Sequence, residues 1–375
     1  MQKTNRMIYL DYNATAPLRS NVKQAMVEAM GQPYNASSTH KSGRHARMVL
    51  ENARDQILSL LSATSHTLVF TSGATEANNM ALHGLEYNAL VASAIEHPAI
   101  LMPAQNHAVI LSVDSNGIID LNHLEELAKA HPAPTLFSIM VANNETGVIQ
   151  PIQEAAKIIH EHGHILHCDA VQAFGRIPVD VKDLDIDMLS ISAHKIGGPT
   201  GIGALVFKKG LDIAPLIHGG GQEQNKRGGT ENVIGALGFS VAAQDAVTEI
   251  LNFQKLNTLR DRMEKALCDY SPELVFHGQN APRLSNTSLF SLPDVPSSTQ
   301  MIHMDLAGIA VSNGSACSSG RVEPSHVLNA MGVSDEHSLS SLRVSMGWDT
   351  TESDISAFID AWKELYDRVK SRMPQ

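Results

Sequence analysis

Through its first two thirds the chain alternates short apolar runs with amphipathic stretches, and this alternation restricts its fold more than any other feature. Residues 67–70, 89–92, 109–111, 135–141, 165–167, 187–191 and 204–207 read as strands. Residues 44–61, 74–83, 121–130 and 151–162 read as helices, the last with Pro151 in its first turn and Gly163 as its stop. Strands separated by helices imply βαβ units and an α/β fold with a mostly parallel sheet.

The final third has a different pattern. Residues 233–248 and 252–270 predict two helices almost end to end, followed by short strands at 274–276, 286–290 and 341–345. In the last helix Ile355, Phe358, Ile359, Trp362, Leu365, Tyr366 and Val369 share one face. Thr351 and Asp354 at its start form a capping-box pattern. At 375 residues the chain suits two domains. The expected division is a large domain over 13–250 and a smaller α+β domain made of 1–12 and 251–375.

Charge and cysteine content narrow the functional classes. A net charge of −11 argues against a nucleic-acid surface, and the densest basic stretch, 41–47, is short and mixed. Three cysteines cannot build a disulfide framework, which points to a reducing compartment. Residues 1–9 lack the apolar core of a signal peptide, and no apolar run approaches a membrane span of about 18 residues. A cytoplasmic protein without membrane or direct nucleic-acid contacts is the expectation.

Two segments carry the strongest chemical signal. His167-Cys168-Asp169-Ala170-Val171-Gln172 and Ser192-Ala193-His194-Lys195 put a carboxylate and a lysine at the ends of two apparently neighbouring strands. A lysine that can form an imine and a carboxylate that can pair with a pyridinium nitrogen are what a pyridoxal 5′-phosphate site needs. Burial at a strand end would favour the free amine of Lys195. Asp169 reads equally as the N-cap of a following helix, and Gln172 as a ring contact or a polar helix residue. Gly198, Gly201 and Gly203 do not make a dinucleotide fingerprint, because a strand follows them instead of a helix.

Further candidates are spread along the chain. Thr71-Ser72-Gly73-Ala74-Thr75-Glu76 links a strand to a helix, so it reads as an ordinary helix start or as a phosphate cradle using Gly73, Ala74 and Thr75. Ser192 and His194 are close enough to Lys195 to serve the same phosphate. His97 follows a strand and could stack on a cofactor ring and move protons. Arg343, expected at a buried strand end, suits a carboxylate. Cys317 lies among small residues, where a thiol is available to react, whereas Cys168 and Cys268 read as core. The His160-Glu161-His162-Gly163-His164 run lacks the His-Glu-x-x-His spacing of zinc hydrolases, so no metal is expected.

Taken in order, these segments resemble the cysteine desulfurases of the NifS/IscS type, in the class V aminotransferase group of fold type I pyridoxal-phosphate enzymes. The similarity runs from Ile8-Tyr9-Leu10-Asp11-Tyr12-Asn13 to about Leu365. It includes Glu96-His97, Asn143-Asn144-Glu145-Thr146-Gly147, Arg227-Gly228-Gly229-Thr230 and Gly314-Ser315-Ala316-Cys317. The resemblance implies a seven-stranded type of sheet, with Lys195 holding the cofactor as an imine, Asp169 on the ring nitrogen, His97 on the ring face and Gln172 on the ring hydroxyl. It implies Thr75, Ser192 and His194 on the phosphate, with Thr230 reaching it from the partner subunit of a homodimer. Asn144 and Arg343 would hold the carboxylate of L-cysteine. Cys317 would take the sulfur as a persulfide, leave L-alanine, and pass the sulfur to an acceptor protein for iron–sulfur cluster assembly or another sulfur pathway. Asn313, where the resembling proteins often carry Ser, and Ala193, where they often carry Gly, depart from the pattern. A selenocysteine lyase or a class V aminotransferase of the same fold is the alternative activity, and a non-catalytic docking scaffold is a third reading.

Overall fold

The computed structural model describes residues 6–105, 107–313 and 323–371. Its strands, in chain order, are β1 (Ile8–Tyr9), β2 (His66–Thr71), β3 (Ala89–Ser93), β4 (Ala108–Leu111), β5 (Thr135–Ser138), β6 (Ile165–Asp169), β7 (Met188–Ser192), β8 (Gly203–Lys208), β9 (Val275–Phe276), β10 (Thr287–Ser291), β11 (Ile309–Ala310) and β12 (Ser341–Ser345). The main sheet has seven strands in the order β2-β8-β7-β6-β5-β3-β4. The pairs from β4 through β7 are parallel, and β8 is antiparallel to both β7 and β2. This is the expected α/β sheet, mostly parallel, with an antiparallel edge.

Helices cover both faces of the sheet. On one face Lys41–Leu60, Ile152–Glu161 and Val233–Thr248 bury Ile57, Ile159 and Phe239 against Leu68, Phe137 and Leu189. On the other, Ala74–Gly84 and Pro98–Ala104 bury Met80 and Ile100 against Leu90, Leu136 and Leu205. Burial on both faces explains why strands such as Met188–Ser192 are buried throughout instead of alternating.

A separate core gathers Leu10, Met263, Phe290, Val344, Phe358 and Trp362. It lies around the antiparallel sheet β12-β10-β9, with the final helix Glu352–Lys370 packed against it. β1 pairs in parallel with β11, tying the N-terminal strand to this second core. The final helix starts with the expected capping box: Asp354 N donates to Thr351 Oγ1 at 3.2 Å and Thr351 N to Asp354 Oδ2 at 2.9 Å. The order of magnitude for such a cap is about 1 kcal/mol.

Several expectations are corrected. The 252–270 segment is two helices, Ile250–Gln254 and Leu256–Tyr270. Cys268 is exposed, because it lies one position beyond the buried Met263 and Leu267 stripe of its helix, while Cys168 is buried as read. No helix follows Asp169: residues 171–173 form a turn, so neither Asp169 nor Gln172 belongs to a helix. Arg343 is the middle residue of β12 and not a strand end. β5 stops at Ser138, although Ile139 N and Val141 N still donate to the carbonyls of His167 and Asp169.

Candidate active site

One cavity of about 640 Å³ opens beyond the C-terminal ends of β6 and β7. Parallel α/β sheets place ligands at this edge. Lys195 sits in the 3-10 turn Ala193–Lys195 directly after β7. Its Nζ donates to the carbonyls of Asn13 at 2.6 Å and Ala14 at 2.7 Å. Burial, aided by the positive charges of Arg176 and Arg343, pushes the amine down to about 7, against the opposing pull of Asp11 and Asp169. A substantial free-amine fraction therefore exists near neutrality.

Asp169 ends β6, one strand over. Its Oδ2 accepts from Asn78 Nδ2 at 2.7 Å and its Oδ1 from Val171 N at 2.9 Å. The carboxylate therefore holds its own turn and also faces the cavity. Asn78, on the helix Ala74–Gly84, keeps a buried Oδ1 without a partner among the described residues.

His97 caps the short helix Pro98–Ala104, its Nδ1 accepting from Ala99 N at 3.0 Å. This contact places the ring proton of the neutral form on Nε2. Burial lowers the pKa of His97, with Lys195 and His326 adding to it against Asp169, so the neutral ring is favoured. His194 contacts Thr15 Oγ1 at 3.1 Å and is pushed down to about 4 by burial and by Lys195.

The cradle expected at residues 71–76 lies at the mouth of the same cavity. Gly73 precedes the helix Ala74–Gly84, no side chain caps that helix, and Gly73, Ala74 and Thr75 line the cavity with Ser192 and His194. Gly203 of β8 lets the loop approach: a Cβ there would lie 2.7 Å from Gly73 C and 2.9 Å from Ala74 N. Glu76 fixes the loop from behind, accepting from Ser72 N at 2.8 Å and pairing with Arg227 at 2.9 Å.

Asn144, in the segment after β5, and Arg343, on β12 of the second core, both line the cavity. Arg343 Nη2 pairs with Asp11 at 2.8 Å and Nη1 donates to the Asn144 carbonyl at 3.0 Å. Its Nε is buried with no acceptor among the described residues, leaving one donor for a ligand carboxylate. Gln172 also lines the cavity, but its amide is engaged with Asn13 O at 3.0 Å and Arg176 Nη1 at 2.5 Å. Thr230 is exposed and outside this cavity, following the Arg227 anchor. Cys317 lies outside the described residues, as do Gly314, Ser315 and Ala316.

The histidines near these segments have other partners. His160 lies between Asp185 and Asp187 at 2.8 and 2.7 Å. His164 meets Thr135 N and the Ala128 carbonyl, and His167 meets Ser138 and Ser190. Sequence reasoning gave no role to Asn13, Asn78 or Arg176. A signal existed for Arg176, a lone cation in the apolar run Ala173-Phe174-Gly175-Arg176-Ile177.

The donor set fits pyridoxal 5′-phosphate: a partly neutral lysine, a carboxylate on the next strand, a neutral imidazole and an uncapped helix start share one space. Comparison with known proteins agrees. Cysteine desulfurase IscS of Dictyoglomus turgidum is 40% identical over 383 residues, covering 98% of this chain and 97% of that protein. The structure of a NifS-like protein from Rickettsia africae superposes with a TM-score of 0.91 at 39% identity, covering 96% of this chain and 99% of the other. A structure described as SspA in complex with cysteine matches at TM-score 0.77 and 31% identity, over 90% of this chain and 98% of that one. Residues 8–358 match the family described as Aminotransferase class-V. The chain belongs to this family and is a pyridoxal-phosphate-dependent enzyme.

Proposed function

We propose that the protein is a cysteine desulfurase, removing sulfur from L-cysteine to leave L-alanine. One observation carries this reading: Lys195, Asp169, His97 and Arg343 line a single cavity, in a chain whose full-length relatives bear that name. When bound, pyridoxal 5′-phosphate supplies an electron sink that weakens bonds at the substrate's Cα and Cβ.

The chain's own residues would supply the rest. Lys195 would anchor the cofactor, Asp169 keep its ring nitrogen protonated, and His97 present a neutral imidazole to accept a proton. Gly73, Ala74, Thr75, Ser192 and His194 would hold the phosphate, with Thr230 of a second copy completing it in a homodimer. His194, neutral at pH 7, would donate a hydrogen bond without adding charge. Arg343, through its free Nε, and Asn144 would orient the substrate carboxylate. Gln172 would turn toward the ring only by giving up a present amide contact.

The Cys317 thiolate would attack the substrate sulfur, forming the S–S bond of a persulfide as the Cβ–S bond breaks. The electron pair of that bond would stay with the carbon fragment, which takes up a proton and leaves as L-alanine. The persulfide sulfur would then be delivered to an acceptor protein. Iron–sulfur cluster assembly in a reducing cytoplasm is the destination we favour. No single helix among the described residues is long and apolar enough to cross a membrane.

Purified protein should be yellow, and Lys195→Ala should abolish the chromophore. Cys317→Ser should keep the colour and stop sulfide release from cysteine. A K195A protein with an unchanged spectrum would remove the cofactor assignment, and normal turnover by C317S would remove the thiol's role.

A further inference from the structure

Arg176 is 3% exposed, in the turn that follows Asp169. Among the described residues no carboxylate pairs with it within 4.0 Å, although every other buried arginine has an acidic partner. Neutral acceptors surround its guanidinium instead. Nη1 donates to Asn13 Oδ1 at 2.7 Å and Gln172 Oε1 at 2.5 Å, and Nη2 to the carbonyls of Tyr12 at 3.2 Å and Lys195 at 3.4 Å. The Phe253 ring lies 5.9 Å away. Burying a cation without a counter-ion is costly, so such an arrangement calls for a reason.

The acceptors supply one. Asn13 is the residue whose carbonyl receives the Lys195 amine. Its side chain also donates to the Asn144 carbonyl at 3.1 Å and to Thr287 Oγ1 at 3.0 Å. Asn286 Nδ2 donates back to Asn13 Oδ1 at 3.1 Å, and Gln172 Nε2 to Asn13 O at 3.0 Å. One guanidinium thus fixes the residue that joins Lys195, the substrate-side Asn144 and β10.

We propose that Arg176 is a positioning residue for Lys195, holding Asn13 and Gln172 in place beside the amine and adding to its burial a positive charge, unpaired with any acid, that disfavours the ammonium form. Pairing Arg176 with an acid would cancel that charge and leave burial as the main force against protonation of the lysine. The charged and titratable groups facing Lys195 are Arg176, Arg343, Asp11, Asp169, His97 and His194. Of these, Arg343 is neutralised by Asp11 at 2.8 Å, which leaves Arg176 as the unbalanced cation. Burial and Arg343 lower Arg176 to about 9, so it remains charged at neutral pH.

The inference rests on Lys195 being the cofactor lysine, and its test separates the two. The readout is the rate at which full-length apoprotein captures added pyridoxal 5′-phosphate, followed by the imine chromophore across pH. Arg176→Gln keeps donors for Asn13 while removing the charge, and should move the midpoint of the profile upward by about one pH unit. Arg176→Lys keeps the charge and should stay near the wild-type midpoint. A wild-type profile in R176Q overturns the proposal, as does an upward shift in R176K matching that expected for the neutral variant. The second outcome decides the matter even where R176Q does not fold. Failure of the cofactor assignment itself would appear differently, as a chromophore that survives in K195A.

Discussion

The two ends of β6, β7 and β8 show the same forces with opposite winners. At one end, His160 bridges Asp185 and Asp187, and Lys208 reaches both carboxylates at 2.8 Å. Burial opposes charge at Asp185, Asp187 and Lys208, yet the hydrogen bonds between them hold both carboxyls low and the amine high. The hydrogen bond to Asp187 raises His160. At the other end burial wins: Lys195 falls to about 7, His194 to about 4, and His97 falls too. Paired charges hold the sheet together, and at the other end the incompletely paired groups are pushed toward their neutral forms.

The most severe test of this contrast is Arg54–Glu223, a pair 2.8 Å apart with side-chain exposures of 4% and 3%. Glu223 also accepts from Phe70 N at 2.9 Å, so the pair ties the helix Lys41–Leu60 and β2 to the turn Glu223–Asn225. That turn holds three successive non-glycine residues at φ 46, 56 and 65°, in the left-handed region. Glu223→Ala should cost about 3 kcal/mol in chemical unfolding, because it leaves the buried Arg54 guanidinium only the half-exposed Glu51 as a counter-ion and deprives Phe70 N of its acceptor. A loss below about 1 kcal/mol would break the link between pairing and stability.

At the reacting end the balance should reverse. Asp169→Asn preserves shape and keeps an acceptor for Val171 N or Asn78, but removes the charge facing the cavity. Turnover should fall roughly ten- to hundredfold, the worth of one charge-assisted hydrogen bond, with little change in the unfolding midpoint. A variant that unfolds early but turns over normally would move Asp169 to the structural side of the comparison.

The contrast also explains what was legible in the sequence. Strand and helix patterning exposed the sheet, because burial on both faces writes long apolar runs. Asp169, Lys195 and His97 stood out because strand ends are short and their polar residues conspicuous. Arg176, Asn13 and Asn78 did not, because their roles depend on partners as far away as Asn286, 273 positions from Asn13. Cys268 reads as core although it is exposed, because one helical step separates a buried stripe from solvent. The pairing of Arg343 with Asp11, 332 residues away, leaves no local trace in the sequence.

The smallest expected effect sharpens the comparison through pH. His160→Gln removes the cation shared by Asp185 and Asp187 while leaving the cavity untouched. The pKa of His160 is raised on folding, so its contribution is fully present below the ordinary histidine value of 6.5 and is lost as the pH climbs through the raised value. Asp185 is 59% exposed, and screening keeps the effect to about 1 kcal/mol. Wild type should therefore exceed H160Q in unfolding free energy near pH 6, the gap should close under alkaline conditions, and turnover should match throughout. His194 runs the other way, since burial depresses its pKa and its folded-state preference for the neutral ring lowers stability as the pH falls from about 6.5 toward 4. A gap between wild type and H160Q that persists or widens with rising pH would mean that His160 acts through neutral hydrogen bonds. The paired end would then differ from the reacting end in geometry alone, and not in charge.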